Sequence, residues 1–183
     1  PNVCTSTSNC NLNLTGNNTK TIYMRCIDGA GNRQRSSRLL AYTIDSLPPT
    51  VSLVSVAGDT VAPYYDTSDD NNTVVNISSN DNLAGVQNCR WDESDQSYVT
   101  MTHNCESNTQ CNFSTYSGES NHTGYIRCVD NIGNAMSSSQ TVTFGIDQTE
   151  PTINNIVSVA GDTTIPYYDR SNNTDTTIDF NSS

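Results

Sequence analysis

Lysine is almost missing from this chain. Lys20 is the only one in 183 residues, beside seven arginines and 19 acidic residues, and the formal charge is −11. Such a balance leaves no basic face for a phosphate backbone, which speaks against nucleic acid as a partner. Histidine occurs twice, as His103 and His122. No metal-spaced histidine pair, nucleophile elbow or phosphate loop is present, so nothing points to catalysis. No apolar run reaches the 18 residues of a membrane-spanning helix, and no stretch repeats its apolar residues with a helical period. Large apolar residues are few as well. Leu, Ile, Val and Phe together number 34 of 183, below the roughly 20% at which disorder becomes a serious reading. Two features oppose disorder: apolar residues alternate at period two in several short runs, and seven cysteines are present.

What is there is repetition. Cys105, Cys111, Cys128, Asp147 and Pro151 follow Cys4, Cys10, Cys26, Asp45 and Pro49 by 101 or 102 positions. VSVAGDT at 54–60 returns at 157–163, and PYYD at 63–66 returns at 166–169, both displaced by 103. A unit of about 102 residues has the size of a small β-sandwich. The expected division is the end of one repeat at 1–46, a complete repeat at 47–147 and the start of a third at 148–183. On this reading the chain is a window on a longer array, and the odd cysteine count comes from where the window opens.

The segments TIYMRCIDGAGN (21–32) and GYIRCVDNIGN (124–134) organise each repeat. Side chains of a strand alternate between faces, so Ile126 and Cys128 share one face, as do Ile22, Met24 and Cys26. Asp and Gly-Asn then close the strand with turn chemistry. In the complete repeat, strands are expected near 51–57, 73–79, 86–91, 98–102, 111–115, 123–130 and 140–146. Seven short strands separated by turn signals predict an all-β fold, an antiparallel sandwich. In the flanking repeats strands are expected at 21–27, 38–45 and near TTIDFNSS.

Cysteine-rich small domains belong to oxidising surroundings, where disulfides reinforce a thin core. The third and sixth strands of such a sandwich are neighbours, which pairs Cys89 with Cys128 and leaves Cys105 with Cys111. Cys89 with Cys105 and Cys111 with Cys128 satisfies the same sequence. Cys4 and Cys10 are the first-repeat counterparts of Cys105 and Cys111. Trp91, on the Cys89 face, is expected in the core against its bridge.

A strand ending in Cys-x-Asp, then Gly-Asn, then a strand ending in Ile-Asp followed by Pro is a recognisable pattern. RCIDGAGN (25–32), YTIDSLPP (42–49), RCVDNIGN (127–134) and FGIDQTEP (144–151) carry it. The chain resembles the immunoglobulin-like tandem repeats of large bacterial and archaeal surface proteins. The resemblance implies Ig-like sandwiches and an extracellular life as an adhesin stalk, a filament or surface-layer subunit, or a spacer in a secreted enzyme. The Cys105–Cys111 loop departs from the plainest members.

Three sets of residues are candidates for further chemistry. Asn-x-Ser/Thr occurs at Asn13, Asn17, Asn71, Asn76, Asn112, Asn121, Asn172 and Asn181, the acceptor pattern for N-linked glycans. A chain rich in Asn, Ser and Thr also produces such triplets by chance. Asp45, Asp81 and Asp130 fall in a linker and two loops at one pole of the expected sandwich, with Asn80, Asn82, Asn131 and Asn134 nearby. Oxygen-only clusters of this kind suit calcium, and the same residues also make ordinary turns. Asp66, Asp69 and Asp70 read as a solvated acidic loop. Tyr64, Tyr65, Tyr167 and Tyr168 read as residues that pack across a repeat or subunit boundary, or that contact a surface glycan.

The sequence therefore predicts a structural, non-enzymatic chain outside the cell, built of disulfide-stapled and glycosylated modules. Its expected partners are neighbouring repeats or identical subunits in a homopolymer. An adhesin or carbohydrate-binding module is the alternative.

Overall fold

A computed structural model describes residues 10–68, 72–169 and 175–182. The expected all-β architecture is what it contains: the described residues form twelve strands and no helix. The chain divides into two units, Pro1–Asp147 and Gln148–Ser183.

In the first unit, β1 (Asn18–Met24) and β2 (Arg38–Ile44) form an antiparallel pair. The rest is a sandwich. One sheet has three strands, β3 (Thr50–Val56), β5 (Thr73–Asn80) and β8 (Gln110–Phe113). The other has five, in the order β4 (Tyr64–Asp66), β10 (Gln140–Ile146), β9 (Ser120–Asp130), β6 (Val86–Asp92) and β7 (His103–Asn104). All pairings are antiparallel except β4 with β10. Alternation explains the core. In β5, Thr73, Val75 and Ile77 point inward, and in β10, Val142, Phe144 and Ile146 do. These meet Trp91, Phe113, Ile126 and the cystines in one apolar cluster shared by both sheets.

Cys89 and Cys128 stand opposite each other on β6 and β9 and are joined; so are Cys105 and Cys111. This is the first of the two pairings open to the sequence. Trp91 lies in the same core but stacks on His103, with ring centroids 4.3 Å apart, and leans on Phe113 at 4.4 Å. The Phe113 ring also comes so close to Gly124 that a Cβ there would sit 2.4 Å from it. Only glycine fits this strand position.

Two expectations need correction. Residues 98–102 form no strand. Thr100 and Met101 both donate their N–H to the Ser97 carbonyl, closing a turn, and the strand on the outer edge of β6 is the two-residue β7. The first Pro-Tyr-Tyr-Asp motif forms a strand rather than a loop between repeats, while its second copy at 166–169 has no strand. Tyr64 to Asp66 is β4, which runs parallel to β10 within the same sandwich. Asp66 is buried rather than solvated and accepts hydrogen bonds from the hydroxyls of Thr73 at 2.6 Å and Ser68 at 2.6 Å. Asp69 and Asp70 lie outside the described residues.

The second unit is an antiparallel pair, β11 (Ile153–Val159) and β12 (Ile178–Ser182). It reproduces β3 and β5 in detail. Both pairs have a turn whose central residues take positive φ, Ala57 and Gly58 in one and Ala160 and Gly161 in the other. In each, an aspartate two residues past that alanine accepts a tyrosine N–H: Asp59 from Tyr65 at 2.9 Å, Asp162 from Tyr168 at 3.2 Å. The β1–β2 pair likewise reproduces β9 and β10. Asp28 accepts from Ala30, Asn32 and the Asn32 side chain just as Asp130 accepts from Ile132, Asn134 and the Asn134 side chain.

Asp92 closes the irregular segment after β6. Burial by itself would raise its carboxyl. The N–H and hydroxyl groups of Thr102 and Ser94 outweigh that and hold it below its ordinary 3.8. A carboxyl depressed in the folded state stabilises the fold above its unfolded value, and the contribution disappears as pH falls through the folded value. The melting temperature is therefore expected to drop on acidification below about pH 4. Asp92→Asn is expected to flatten that drop in a pH series of thermal melts; equal slopes for the two chains would contradict this role.

Candidate metal centre

The Asp-Asn-Leu-Ala-Gly stretch after β5 must reverse the chain into β6. Asp81 does this through one oxygen: its Oδ2 accepts the N–H groups of Leu83 at 3.0 Å, Ala84 at 2.8 Å and Gly85 at 2.9 Å. The loop after β9 is fastened to it. Asn131 donates its side-chain amide to the Ala84 carbonyl at 2.7 Å and its N–H to the Gly85 carbonyl at 3.1 Å. Asp45 arrives from the end of β2. Its Oδ2 accepts the same Ala84 N–H, at 2.9 Å, and its carbonyl accepts from Asn134 Nδ2 at 3.4 Å.

One carboxylate oxygen each from Asp45, Asp81 and Asp130 thus lies within 4.8 Å of the others. The structure brings these three together. Asn131 and Asn134 serve instead as hydrogen-bond donors that brace the loops. Asp130 is fully buried. Burial alone would raise its carboxyl, but the Asn134 N–H and side-chain amide, with the N–H groups of Ile132 and Gly133, hold it below the ordinary 3.8. It is therefore an anion inside the protein. Among the described residues the salt bridge found joins Arg127 to Asp95, so no basic side chain neutralises the trio.

The second oxygen of Asp81, Oδ1, is buried and has no hydrogen-bond partner. A buried, unpaired carboxylate oxygen is costly. With hard oxygen donors and no histidine or cysteine, the set suits calcium rather than zinc. The residues present fit such an ion. The sequence signal for it was the placing of acidic loops at one pole; the shared Ala84 N–H, a backbone group, left no trace in the residue letters.

No protein-family model matches the chain, and no curated protein matches it either.

The remaining candidates are scattered. Asn13, Asn121 and Asn181 are exposed. Asn17 accepts from the N–H and hydroxyl of Ser46, and Asn76 donates to Ser55 and accepts from Gln110. Asn112 is half-buried, with its Oδ1 unpaired. Asn71 and Asn172 lie outside the described residues. Cys10 is in a disulfide, its expected partner Cys4 lies outside the described residues, and Cys26 is free and exposed. Tyr64 packs against the core, and Tyr65 is exposed and lies over Gly145. Tyr167 donates its hydroxyl to the Ile156 carbonyl at 3.2 Å, and Tyr168 is exposed. An open groove of about 520 Å³ runs between residues 47–51 and 136–140, and no titratable side chain lines it.

Proposed function

We propose that the chain is a load-bearing segment of an extracellular surface filament, stalk or layer, made of disulfide-stapled Ig-like modules joined through a calcium-tied pole. The observation that carries this reading is Asp45. It belongs to the segment that precedes the sandwich, yet it shares a backbone N–H with Asp81 and completes the carboxylate trio with Asp130. An ion held there would link the incoming segment to the sandwich and stiffen the joint. The two cystines buried in a thin core support an oxidising location, and exposed Asn13, Asn121 and Asn181 are the acceptors best placed for glycans. The inward packing of Tyr64 supports structural packing over a sugar-binding platform for the paired tyrosines.

Calcium is expected to raise the melting temperature of the wild-type chain. A ligand at about one hundred times its dissociation constant adds about 2.7 kcal/mol. Asp81→Asn and Asp130→Asn are expected to abolish the calcium-dependent rise. Calorimetric titration with calcium checks the same point directly. A wild-type chain whose melting is indifferent to calcium and to chelator would remove the ion from this proposal.

A further inference from the structure

We propose that Asn121 carries an N-linked glycan whose first pyranose ring lies against the Tyr65 ring across Gly145, bracing the edge strand β4 to β9. The inference rests on the glycosylated, extracellular part of the reading above and deepens it to one site and the side chain that holds its sugar.

Three neighbouring positions on the outer face of the five-stranded sheet carry the argument. Gly145 of β10 stands opposite Asn121 on β9 and beside Tyr65 on β4. Phe144 and Tyr64, one residue away, pack on the core, so alternation turns Gly145 and Tyr65 to the other face. Tyr65 is 47% exposed, and Asn121 is exposed as well. Gly145 has no side chain to hold the two apart. A Cβ there would lie 3.0 Å from the Tyr65 ring and 3.3 Å from Asn121 Oδ1. The two side chains therefore converge on one spot from the strands on either side. Glycine inside a strand weakens it, and one of its uses is to let a ligand approach closely.

The first repeat supplies a comparison within the same chain. Thr19 and Thr43 there occupy the positions of Asn121 and Gly145, in the same register and displaced by 102. Their hydroxyls meet at 3.0 Å. No gap is kept opposite a residue that is not an N-glycan acceptor; the gap and the acceptor occur together.

Asn121-His122-Thr123 is the acceptor triplet. Among the described residues no hydrogen bond ties up the Asn121 amide, whereas Asn76 donates its amide to Ser55. Attachment joins the anomeric carbon of a sugar to Asn121 Nδ2. The bond from that carbon to the phosphate oxygen of a glycosyl diphosphate donor breaks, the diphosphate leaves with the electron pair, and Nδ2 gives up one proton. A separate transferase brings the donor. A pyranose has a face of C–H groups. Laying it on an aromatic ring removes apolar surface from water while the sugar hydroxyls stay wet.

The test begins with glycopeptide mass spectrometry of the full chain from its native source, covering every acceptor. Asn121 is expected to carry a sugar. Tyr65→Ala is then made in the sugar-bearing chain and in Thr123→Ala, which removes the acceptor pattern but keeps Asn121; Thr123→Ser is expected to restore attachment. Tyr65→Ala should lower the melting temperature by about 4 °C more in the sugar-bearing chain than in the bare one. Proton spectra of the native chain should show contacts between the Tyr65 ring and the first sugar. Near-ultraviolet circular dichroism from Trp91 checks that the sandwich is intact in every variant. A bare Asn121 beside occupied acceptors elsewhere overturns this proposal alone. A chain without sugar at any acceptor overturns it together with the glycosylated part of the reading. Equal losses for Tyr65→Ala in both chains, with no contact between ring and sugar, overturn the stacking and with it the proposal.

Discussion

Replacing Cys89 and Cys128 together with alanine is expected to lower the unfolding free energy of the sandwich by about 2–5 kcal/mol. The two residues are fully buried, face each other across β6 and β9, and are 39 positions apart in sequence. A crosslink that closes a longer loop removes more freedom from the unfolded chain. Chain-entropy bookkeeping gives about 4 kcal/mol for this loop and about 2 kcal/mol for the Cys105–Cys111 loop, whose separation is six. Removing the Cys89–Cys128 bridge should therefore cost more than removing its neighbour. Truncating two interior side chains adds a packing loss in the same direction. Guanidinium unfolding followed by the fluorescence of Trp91, the only tryptophan, measures both variants with one probe. A smaller loss for the Cys89–Cys128 double variant than for Cys105–Cys111 would show that loop closure does not set the ranking.

Much of this was written in local patterns. Period-two alternation located β5, β9 and β10; burial follows it along β5 and the first five residues of β10, whereas Ile126 to Asp130 of β9 are all buried. The 102-residue displacement held down to single hydrogen bonds at Asp28 and Asp130. The failures share a cause. In the segment around 98–102 the alternation belongs to a turn closed on Ser97, and the partner on the outer edge of β6 is only two residues long. β4 is three residues that gain their strand character from β10, some eighty positions away; no local pattern marks such a pair. Asp66 looked solvated because it neighbours other acids, yet its partner is Thr73 on β5. The carboxylate trio was approachable from sequence because loop order in a sandwich decides which loops share a pole. Its bracing by Asn131 and by the Ala84 N–H became visible only with coordinates.

Trp91→Ala is expected to cost about 3–5 kcal/mol, the range for emptying a large buried aromatic site. The side chain is 1% exposed, stacked on His103, against Phe113, and 6.1 Å from Tyr116 by ring centroids. Tyr116 in turn meets Phe144 edge-on and donates its hydroxyl to the Thr123 carbonyl at 2.5 Å. This column joins the five-stranded sheet to β8 of the facing sheet, so its loss loosens both. A core with so few large apolar residues has little else to redistribute into the cavity. A typical domain has about 5–15 kcal/mol in total, so the variant should sit close to unfolding at room temperature. Trp91→Phe keeps a ring between His103 and Phe113 and should recover most of the loss. Urea unfolding by far-ultraviolet circular dichroism compares the three chains. If Trp91→Ala fell within about 1 kcal/mol of the parent, below the usual cost of emptying such a site, the two sheets would be held together by their cystines and strand edges rather than by this aromatic column.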